Sequence, residues 1–497
     1  MQLVRHRYVE AVGTTLLVAA IAYYLGHALV DYNVRTFGLG HGSTFAMTAM
    51  AAIVLALVRA ATFPGFLALA TLAVLNGIPF VDIESFASPG SFRVSDLAVI
   101  ALIVVLATRQ DETAASSRFA TLARAWAVCL GLWWLLTWTR SVVDGIPVLK
   151  AGLFGRDFLY FAILVPLAIG AFGKRRDIYT FLIVLAVGGV IYQLAQIAIS
   201  GLNLGGGFTG LFVHETISND VGGVKRVYAY MDYVAPLAAP ICLGIALSPV
   251  RRGYRIAASL VAAIATVSLL LAFTRAVYIG LMFALLAVTL FWIRRQSPAA
   301  VGLRRITLAM AAVVLALIVT GGLHSLVNSS ASTKAVATRA TTALQDIQNR
   351  TGTVQYRYDV QRRMIKVLGP NWLQGLGFLH PDAHPVPSLP QFSIRNSDVG
   401  VMNSVMTMGL IGTALLYAAP LFLLFTILAR RNQEEGVPHE WFFFGMAVWL
   451  LDLVISSISL VTLFSVQGLV FAAMLIGCAT GLLADTQTPA PEPLRPA

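Results

Sequence analysis

The chain has 497 residues, of which 58% are apolar and only 12% are charged. Soluble proteins average roughly 45–50% apolar and about 25% charged residues, so this composition excludes a soluble multidomain protein. The formal net charge is +12, from 35 Lys and Arg residues against 23 Asp and Glu residues, but most basic residues stand at the ends of apolar runs. That placement indicates membrane topology rather than nucleic-acid binding.

Apolar runs long enough to cross a bilayer, about 20 residues each, predict an all-α polytopic transmembrane bundle of about 14 helices, with a range of 12–14. Their approximate bounds, in chain order, are 9–30, 43–62, 64–81, 94–108, 122–139, 157–172, 178–199, 230–248, 256–273, 276–293, 306–323, 400–428, 441–461 and 464–483. The first run is too long for a signal-peptide core, so it predicts an uncleaved signal anchor.

Basic residues orient these runs. If the N-terminus is cytoplasmic, 19 of the 35 Lys and Arg residues fall on the cytoplasmic side, 8 in short outer loops and 8 in one long outer segment. The cytoplasmic excess over the short outer loops is what the positive-inside tendency predicts, and it places both termini in the cytoplasm. The resulting domains are 1–323 (transmembrane helices 1–11), 324–399 (a large outer, helical loop), 400–484 (C-terminal transmembrane helices) and 485–497 (a disordered cytoplasmic tail).

The long outer segment contains a helical pattern in which one arginine stands on the apolar face. Val360, Met364, Val367 and Leu368 share one helix face, and Arg357 lies three residues before Val360 on the same side. Arg362 and Lys366 point the other way. A charge on a packed face needs a partner or a ligand, so Arg357 is either a structural arginine paired with Asp346 or Asp359, or a ligand-binding residue.

Another arginine stands at the tip of a helix pair. Residues 256–293 form two apolar runs joined only by Phe273, Thr274 and Arg275, with basic clusters at both cytoplasmic ends. Arg275 is therefore predicted at the outer face. It is either a ligand-binding residue or an arginine that reaches lipid headgroups.

Further basic residues of the outer loops are Arg140, Lys150 and Arg156, together with Lys225 and Arg226. Each is either a site residue or an anchor at the membrane interface. As a group, the outer arginines have few acidic partners and would suit a phosphate-bearing ligand. A guanidinium binds phosphate oxygens two at a time and can stabilise a pyrophosphate leaving group without a metal ion.

Other chemistries find little support in the sequence. His380 and His384 are four residues apart, but the surrounding prolines prevent helical registration, which disfavours a metal site. The run 205–207 is all glycine but lacks the Gly-Lys-Ser/Thr of a P-loop, and the chain has no Gly-x-Ser-x-Gly elbow. We therefore predict no metal and no cofactor.

Three local patterns together resemble the bacterial O-antigen ligase and polysaccharide polymerase family. Thr274-Arg275-Ala-Val-Tyr-Ile279 is similar to that family's Arg-x3-Leu element, with Ile in place of Leu. Tyr356-Arg357 followed by Asn371-Trp-Leu-Gln-Gly-Leu-Gly377 resembles its arginine helix and the downstream Pro-Leu-x-Gly-x-Gly turn. Asp398, ten intervening residues and then Gly409-Leu-Ile-Gly412 resemble its His-x10-Gly element, with Asp in place of His.

The resemblance implies a GT-C-like membrane glycosyltransferase of the bacterial inner membrane, with an active site on the periplasmic face. The donor would be an undecaprenyl-pyrophosphate-linked oligosaccharide, and transfer to a glycan acceptor would be inverting and metal-independent. Asp398 would be the base, and Arg357 and Arg275 would hold the pyrophosphate. Arg226, Arg156, Arg140 and Lys225 would contact substrate. The bilayer, a chain-length regulator and other polysaccharide assembly proteins would be partners, and nucleic acid would not.

Three functions remain open at this point. The leading hypothesis is a polymerase that joins lipid-linked repeat units into a surface polysaccharide or exopolysaccharide. An O-antigen ligase that passes the glycan to lipid A core or to protein uses the same chemistry. A transporter or flippase of lipid-linked glycans belongs to another class, which usually shows inverted repeats and charges at the bilayer midplane. Asp398 has a second interpretation too, as the N-cap of the run that begins near Val399.

Overall fold

The computed structural model is described over residues 63–75, 94–197, 217–221, 224–227, 233–248, 250–271, 275–293, 352–378, 399–429, 437–458 and 465–485. Almost all of this is helix. In chain order the helices are α1 (Phe63–Val74), α2 (Val94–Thr108), α3 (Glu112–Ala115), α4 (Arg118–Val143), α5 (Val148–Ala171), α6 (Arg175–Gln196), α7 (Ala235–Ala246), α8 (Arg252–Leu271), α9 (Arg275–Ile293), α10 (Gly352–Leu368), α11 (Gly400–Ala429), α12 (Val437–Ser456) and α13 (Val466–Asp485).

Five stretches of these helices are long and apolar enough to cross a membrane: Arg118–Val143, Val148–Ala171, Arg175–Leu194, Gly400–Ala429 and Val466–Ala484. Shorter apolar helical stretches accompany them. Together they make the chain a multi-pass membrane protein. Eleven of the fourteen predicted runs overlap helices of the structure, and the runs 9–30, 43–62 and 306–323 lie outside the described residues.

The described structure is predominantly helical, as predicted, and one short antiparallel hairpin that was not predicted lies between α6 and α7. Strand β1 (Ile217–Val221) pairs with β2 (Val224–Val227), with Ser218 opposite Arg226 and Asp220 opposite Lys225. The predicted helix that follows also begins later than expected, at Ala235, where Pro236 occupies the first turn. Proline suits a helix start because its missing N–H would have no intrahelical partner there.

The core of the bundle lies around α13. Its membrane-length stretch, Val466–Ala484, is buried throughout, whereas most of α4 is not. Helix α13 packs extensively against α5, and a Cβ placed on Gly477 would lie 2.7 Å from the Cβ of Ala168. Small residues allow such close backbone approach between membrane helices. Several apolar side chains of α4, such as Leu132 and Leu136, are exposed, as expected of a helix that borders lipid.

Helix α10 lies outside this core and packs on the ends of two spanning helices. Val360, Met364 and Leu368 are buried, and Val367 is partly buried, in a cluster with Ile146 before α5, Ala151 of α5, and Val399, Val405 and Met406 around the start of α11. Arg362 and Lys366 are exposed. The predicted apolar face of this helix is therefore confirmed.

Candidate functional site

Two of the sequence patterns meet in the structure. The turn that follows α10 lies against α11 where that helix is broken at Gly409, whose φ of 69° and ψ of −176° are far from helical values. Gly375 approaches the break so closely that a Cβ on it would lie 2.5 Å from both Thr407 O and Gly409 N. A Cβ on Gly409 would in turn collide with the backbone of Leu373. We call residues 371–378 together with 406–411 the junction.

Backbone hydrogen bonds cross the junction in place of helical ones. Leu376 N donates to Met406 O at 2.7 Å, and Gly377 N donates to Thr407 O at 3.0 Å. In an unbroken helix Thr407 O would accept from Ile411 N, but Ile411 N donates instead to Leu373 O at 3.2 Å. The turn thus satisfies backbone groups that the break in α11 releases, which a low-dielectric environment requires.

A tryptophan of α4 satisfies another group released by the break. Trp133 Nε1 donates to Met408 O at 2.8 Å. A Cβ on Gly412 would lie 2.6 Å from that indole nitrogen, so the glycine leaves room for the ring. Two turns earlier in α4, Trp126 Nε1 donates to Leu415 O at 2.7 Å. The two indoles therefore fix α4 to α11 at the break and just after it.

Phe378 anchors the turn at its other end. Its ring lies between α4 and α5, with centroids 5.8 Å from Trp134 and 6.2 Å from Phe158, and it is fully buried. A Cβ on Gly155 would lie 2.5 Å from the ring. The Phe378 N–H donates to Ser141 Oγ at 2.6 Å. The last residue of the turn is therefore held by both packing and a hydrogen bond.

Arg140 holds the middle of the turn. Its Nη1 donates to Gly375 O at 2.5 Å and its Nη2 donates to Asn371 Oδ1 at 3.1 Å. Asp144 lies 3.9 Å from Nε. The guanidinium thus directs two donors at the protein itself. We infer that Arg140 positions the turn, and its predicted contact with substrate stays a prediction.

Arg357 lies on the side of α10 that faces the bundle. Its Nε is buried, whereas Arg362 and Arg363 on the same helix are exposed. Two and three turns later, Met364 and Leu368 fill the cluster that also contains Val405 and Met406 of α11. The helix that carries Arg357 is therefore packed directly beside the junction.

The start of α9, where Arg275 is the first residue, reaches the same end of the bundle through α12. A Cβ on Gly280 of α9 would collide with Asp452 Oδ1 and would lie 3.5 Å from Ser456 N. One residue further along the chain, Ser457 O accepts from Val401 N at 2.8 Å. The C-terminal end of α12 thus contacts both the first turns of α9 and the first residues of α11.

The other predicted site residues lie partly outside the described structure. Asp398 falls outside the described residues, two positions before the start of α11. The backbone is described for Arg275 at the start of α9 and for Lys225 and Arg226 in β2, and their side chains are not. The distances among Arg275, Arg357 and Asp398 therefore stay predictions.

Arg156 takes part in a buried ion pair. Its Nε lies 2.9 Å from Asp96 Oδ1 and 3.8 Å from Asp157 Oδ1, and the side chains of Arg156 and Asp96 are 12% and 1% exposed. This pair joins the start of α2 to the first half of α5. A buried arginine needs such a partner, so the pair accounts for Arg156 without a ligand, and its predicted substrate contact stays untested.

Sequence reasoning missed the residues that build the junction. Trp133, Ser141 and Phe378 hold the turn or the break, yet each stands in a run that looks like ordinary apolar helix or loop. The spacing of tryptophans at 126 and 133, two helical turns apart on one face of α4, was the available signal. Among the described residues no group of three His, Cys, Asp or Glu side chains could hold a metal.

Comparison with known proteins points to the same part of the chain. Residues 260–417 match the family model described as O-antigen ligase. The matched region runs from within α8 to within α11, so it includes Arg275, Arg357, Asp398 and the whole junction. The match supports assignment of this region to the O-antigen ligase and polymerase family. This family assignment supports a membrane enzyme that processes glycans by glycosyl transfer. No curated protein matches the chain.

Proposed function

We propose that this protein polymerises undecaprenyl-pyrophosphate-linked repeat units into a surface polysaccharide or exopolysaccharide. A hydroxyl of the acceptor glycan attacks the anomeric carbon of the donor from the face opposite the pyrophosphate. The new glycosidic C–O bond forms as the bond to the pyrophosphate oxygen breaks, and the configuration inverts. The hydroxyl proton passes to the Asp398 carboxylate, and undecaprenyl pyrophosphate leaves.

Arg357 and Arg275 stabilise the leaving pyrophosphate in this proposal. Charge builds on the phosphate oxygens as the C–O bond breaks, and preorganised guanidinium groups in a site shielded from water stabilise that charge effectively. Because arginine stays protonated at any physiological pH, the reaction needs no divalent metal. Arg226, Lys225, Arg156 and Arg140 are second-tier candidates for phosphate or glycan contacts, with Arg140 and Arg156 acting chiefly through their protein partners.

The observation that supports this proposal best is the junction. It brings the turn after the Arg357 helix onto the broken helix that begins two residues after Asp398. The contacts of α12 with Gly280 and Val401 direct the Arg275 end of α9 to the same side. The described parts of the three family patterns are thus linked by these contacts, which supports placing Arg275, Arg357 and Asp398 at one end of the bundle. In a bacterial inner membrane with cytoplasmic termini, that end faces the periplasm, where lipid-linked glycans are presented.

A ligase is the second candidate, and the description of the matched family as O-antigen ligase favours it. It would run the same transfer onto lipid A core or protein instead of onto another lipid-linked glycan. The acceptor alone distinguishes the two enzymes.

Reconstitution tests the proposal. Purified protein in liposomes is given a lipid-pyrophosphate oligosaccharide in the presence of EDTA, and the products are separated by gel electrophoresis and mass spectrometry. A polymerase yields glycans that are integer multiples of the repeat on a single lipid. Transfer only when lipid A core is added identifies a ligase. Movement of the donor across the bilayer with no new glycosidic bond identifies a flippase and contradicts the proposal.

A further inference from the structure

Helix α10 has an outward side that the transfer chemistry does not use. Tyr358 and Ile365 are seven residues apart, which places them on one helix face, and they are 52% and 59% exposed. Four and five residues after the end of the helix, Trp372 and Leu373 are 49% and 45% exposed. Four large apolar or aromatic side chains thus stand on the surface of one short segment.

A basic stripe runs beside these side chains. Arg362 and Lys366 are four residues apart, on a neighbouring face of α10, and Arg363 continues the stripe on its far side; all three are exposed. Helix α10 carries four basic residues and only one acid, Asp359, so its own formal charge is +3. Asp359 Oδ1 accepts from Gln355 Nε2 at 2.9 Å. Within the part of the chain that the structure describes, Arg362 and Lys366 have no acidic partner.

The helix therefore has three sectors. The first sector, with Val360, Met364 and Leu368, packs on the bundle. The second, with Tyr358 and Ile365, is apolar and exposed, and the third is basic and exposed. In a helix with only a packed side and a solvated side, polar residues would be expected at the exposed positions 358 and 365, which share one face.

The location of α10 explains the extra sector. Its packed sector covers Ile146 and Ala151 at the start of α5 and Val399 and Val405 at the start of α11, two helices of membrane length. Because helices of this length span the hydrocarbon region, their ends are expected where that region gives way to water. Tryptophan and tyrosine favour this boundary, and basic residues just beyond it meet lipid phosphates.

We propose that α10 lies along the outer-leaflet surface of the membrane that the bundle spans. Its apolar sector, with Tyr358 and Ile365, and the nearby Trp372 and Leu373 contact acyl chains. The basic stripe, Arg362, Arg363 and Lys366, binds anionic phospholipid headgroups. The occupant of this surface is lipid, because charge complementarity accounts for the stripe and acyl contact accounts for the apolar sector. A soluble acidic glycan would use the stripe and leave the apolar sector in water. The proposal is independent of the transfer reaction.

The first arm of the test measures how deeply two positions of α10 lie in the bilayer. In the full chain with Cys129, Cys242 and Cys478 replaced by alanine, Ile365→Cys or Lys366→Cys is labelled with bimane and reconstituted in phosphatidylcholine vesicles containing doxyl-labelled lipid. The label at position 365 should be quenched by the doxyl lipid and shielded from aqueous iodide, and the label at position 366 should show the reverse. Equal iodide quenching at both positions overturns the interfacial placement.

The second arm measures headgroup preference with the label at position 365. Doxyl phosphatidylglycerol should quench more strongly than doxyl phosphatidylcholine at equal mole fraction. Replacing Arg362, Arg363 and Lys366 by glutamine should reduce this preference by roughly fivefold for each cation lost.

The matched control replaces Arg251, Arg252 and Arg255 by glutamine. These residues are exposed at the opposite end of the bundle, before and within the first turn of α8, and the triple variant loses the same three charges. It should keep the phosphatidylglycerol preference at position 365. A preference unchanged by the α10 substitutions overturns the headgroup assignment. Quenching that falls as protein density rises would instead assign the surface to a second copy of the chain.

Discussion

The junction and the outward side of α10 are neighbours in sequence but are built on opposite principles. In the junction, Gly375 and Gly409 bring two backbones into contact, and the contacts are main-chain hydrogen bonds that any added methyl group would disturb. On the outward side of α10, residues such as Arg362 and Ile365 are exposed and contact little of the protein. The first region depends on the absence of side chains and the second on their presence.

This difference indicates that the residues of the family patterns have two kinds of role: some set the backbone geometry and others contact ligands. The glycines of the second and third patterns fix where two chain segments meet, because positive φ and close approach exclude other residues. The charged residues then stand on elements that the glycines have placed. Changes in the junction should therefore cost stability first, and changes on the surfaces of α10 should alter ligand or lipid interactions first.

Gly409→Ala should have the largest effect on stability. The new Cβ would collide with the backbone of Leu373, and alanine is strained at a φ of 69°. We expect a loss of more than about 2 kcal/mol in the free energy of unfolding, measured by thermal melting in detergent. Gly131→Ala is the matched control. Gly131 lies inside α4, and a Cβ added there would meet nothing within 4 Å, so the change should be neutral or slightly stabilising.

Arg140→Gln should cause the second-largest loss of stability. It removes the donors to Gly375 O and Asn371 Oδ1, and hydrogen bonds from a charged group contribute about 1.5–3 kcal/mol. Melting should report this loss, and protease cleavage within 371–378 should become faster. Arg124→Gln removes an exposed bond to Ala115 O at the other end of α4 and should change neither measurement. An equal effect of both substitutions would contradict the positioning role of Arg140.

Trp133→Phe should have a smaller effect. The ring volume is largely kept, but the bond from Nε1 to Met408 O is lost, which leaves a buried carbonyl without that donor. We expect a loss of about 1–2 kcal/mol by melting. Trp138→Phe removes a more exposed bond to Val148 O and should cost less. A larger loss of stability for Trp138→Phe than for Trp133→Phe would show that the break in α11 does not depend on the Trp133 indole.

Arg362→Gln should have the smallest effect on stability in detergent. The side chain is exposed and has no acidic partner among the described residues, so the change should stay within about 0.5 kcal/mol. A loss comparable with that of Arg140→Gln would show that the outward side of α10 is packed against another part of the chain, and would remove the contrast between the two regions.

Sequence patterns predict the helices better than their irregularities. The apolar face of α10 is correct in detail because Val360, Met364 and Leu368 follow helical spacing. The break at Gly409 could not be predicted, because α11 has the pattern of one continuous apolar run and only the docking of residues 371–378 stabilises the interruption. The hairpin β1–β2 escapes prediction because its strands are short and contain polar residues.

The same limit applies to the candidate site. Arg357 can be identified because it is a charged residue on an otherwise apolar helix face, and helical spacing in the sequence is enough to show this. The pairing of Arg156 with Asp96 joins residues that are 60 positions apart, and the bonds of Arg140 to the turn join residues that are more than 200 positions apart. Periodicity carries no information about such contacts, so the sequence predicts both arginines only as site residues or interface anchors.

The most direct test of the proposed transfer site compares two arginine substitutions in one assay. Liposomes containing the wild-type protein, Arg357→Gln or Arg176→Gln receive a lipid-pyrophosphate oligosaccharide with EDTA, and the initial rate of glycosidic bond formation is measured. Arg176 is exposed at the opposite end of the bundle, in the first turn of α6. Arg357→Gln should slow transfer by about 10²–10³-fold when rates are expressed per folded protein, and Arg176→Gln should not slow it. Equal rates in the two variants would contradict the role of Arg357 at the leaving pyrophosphate.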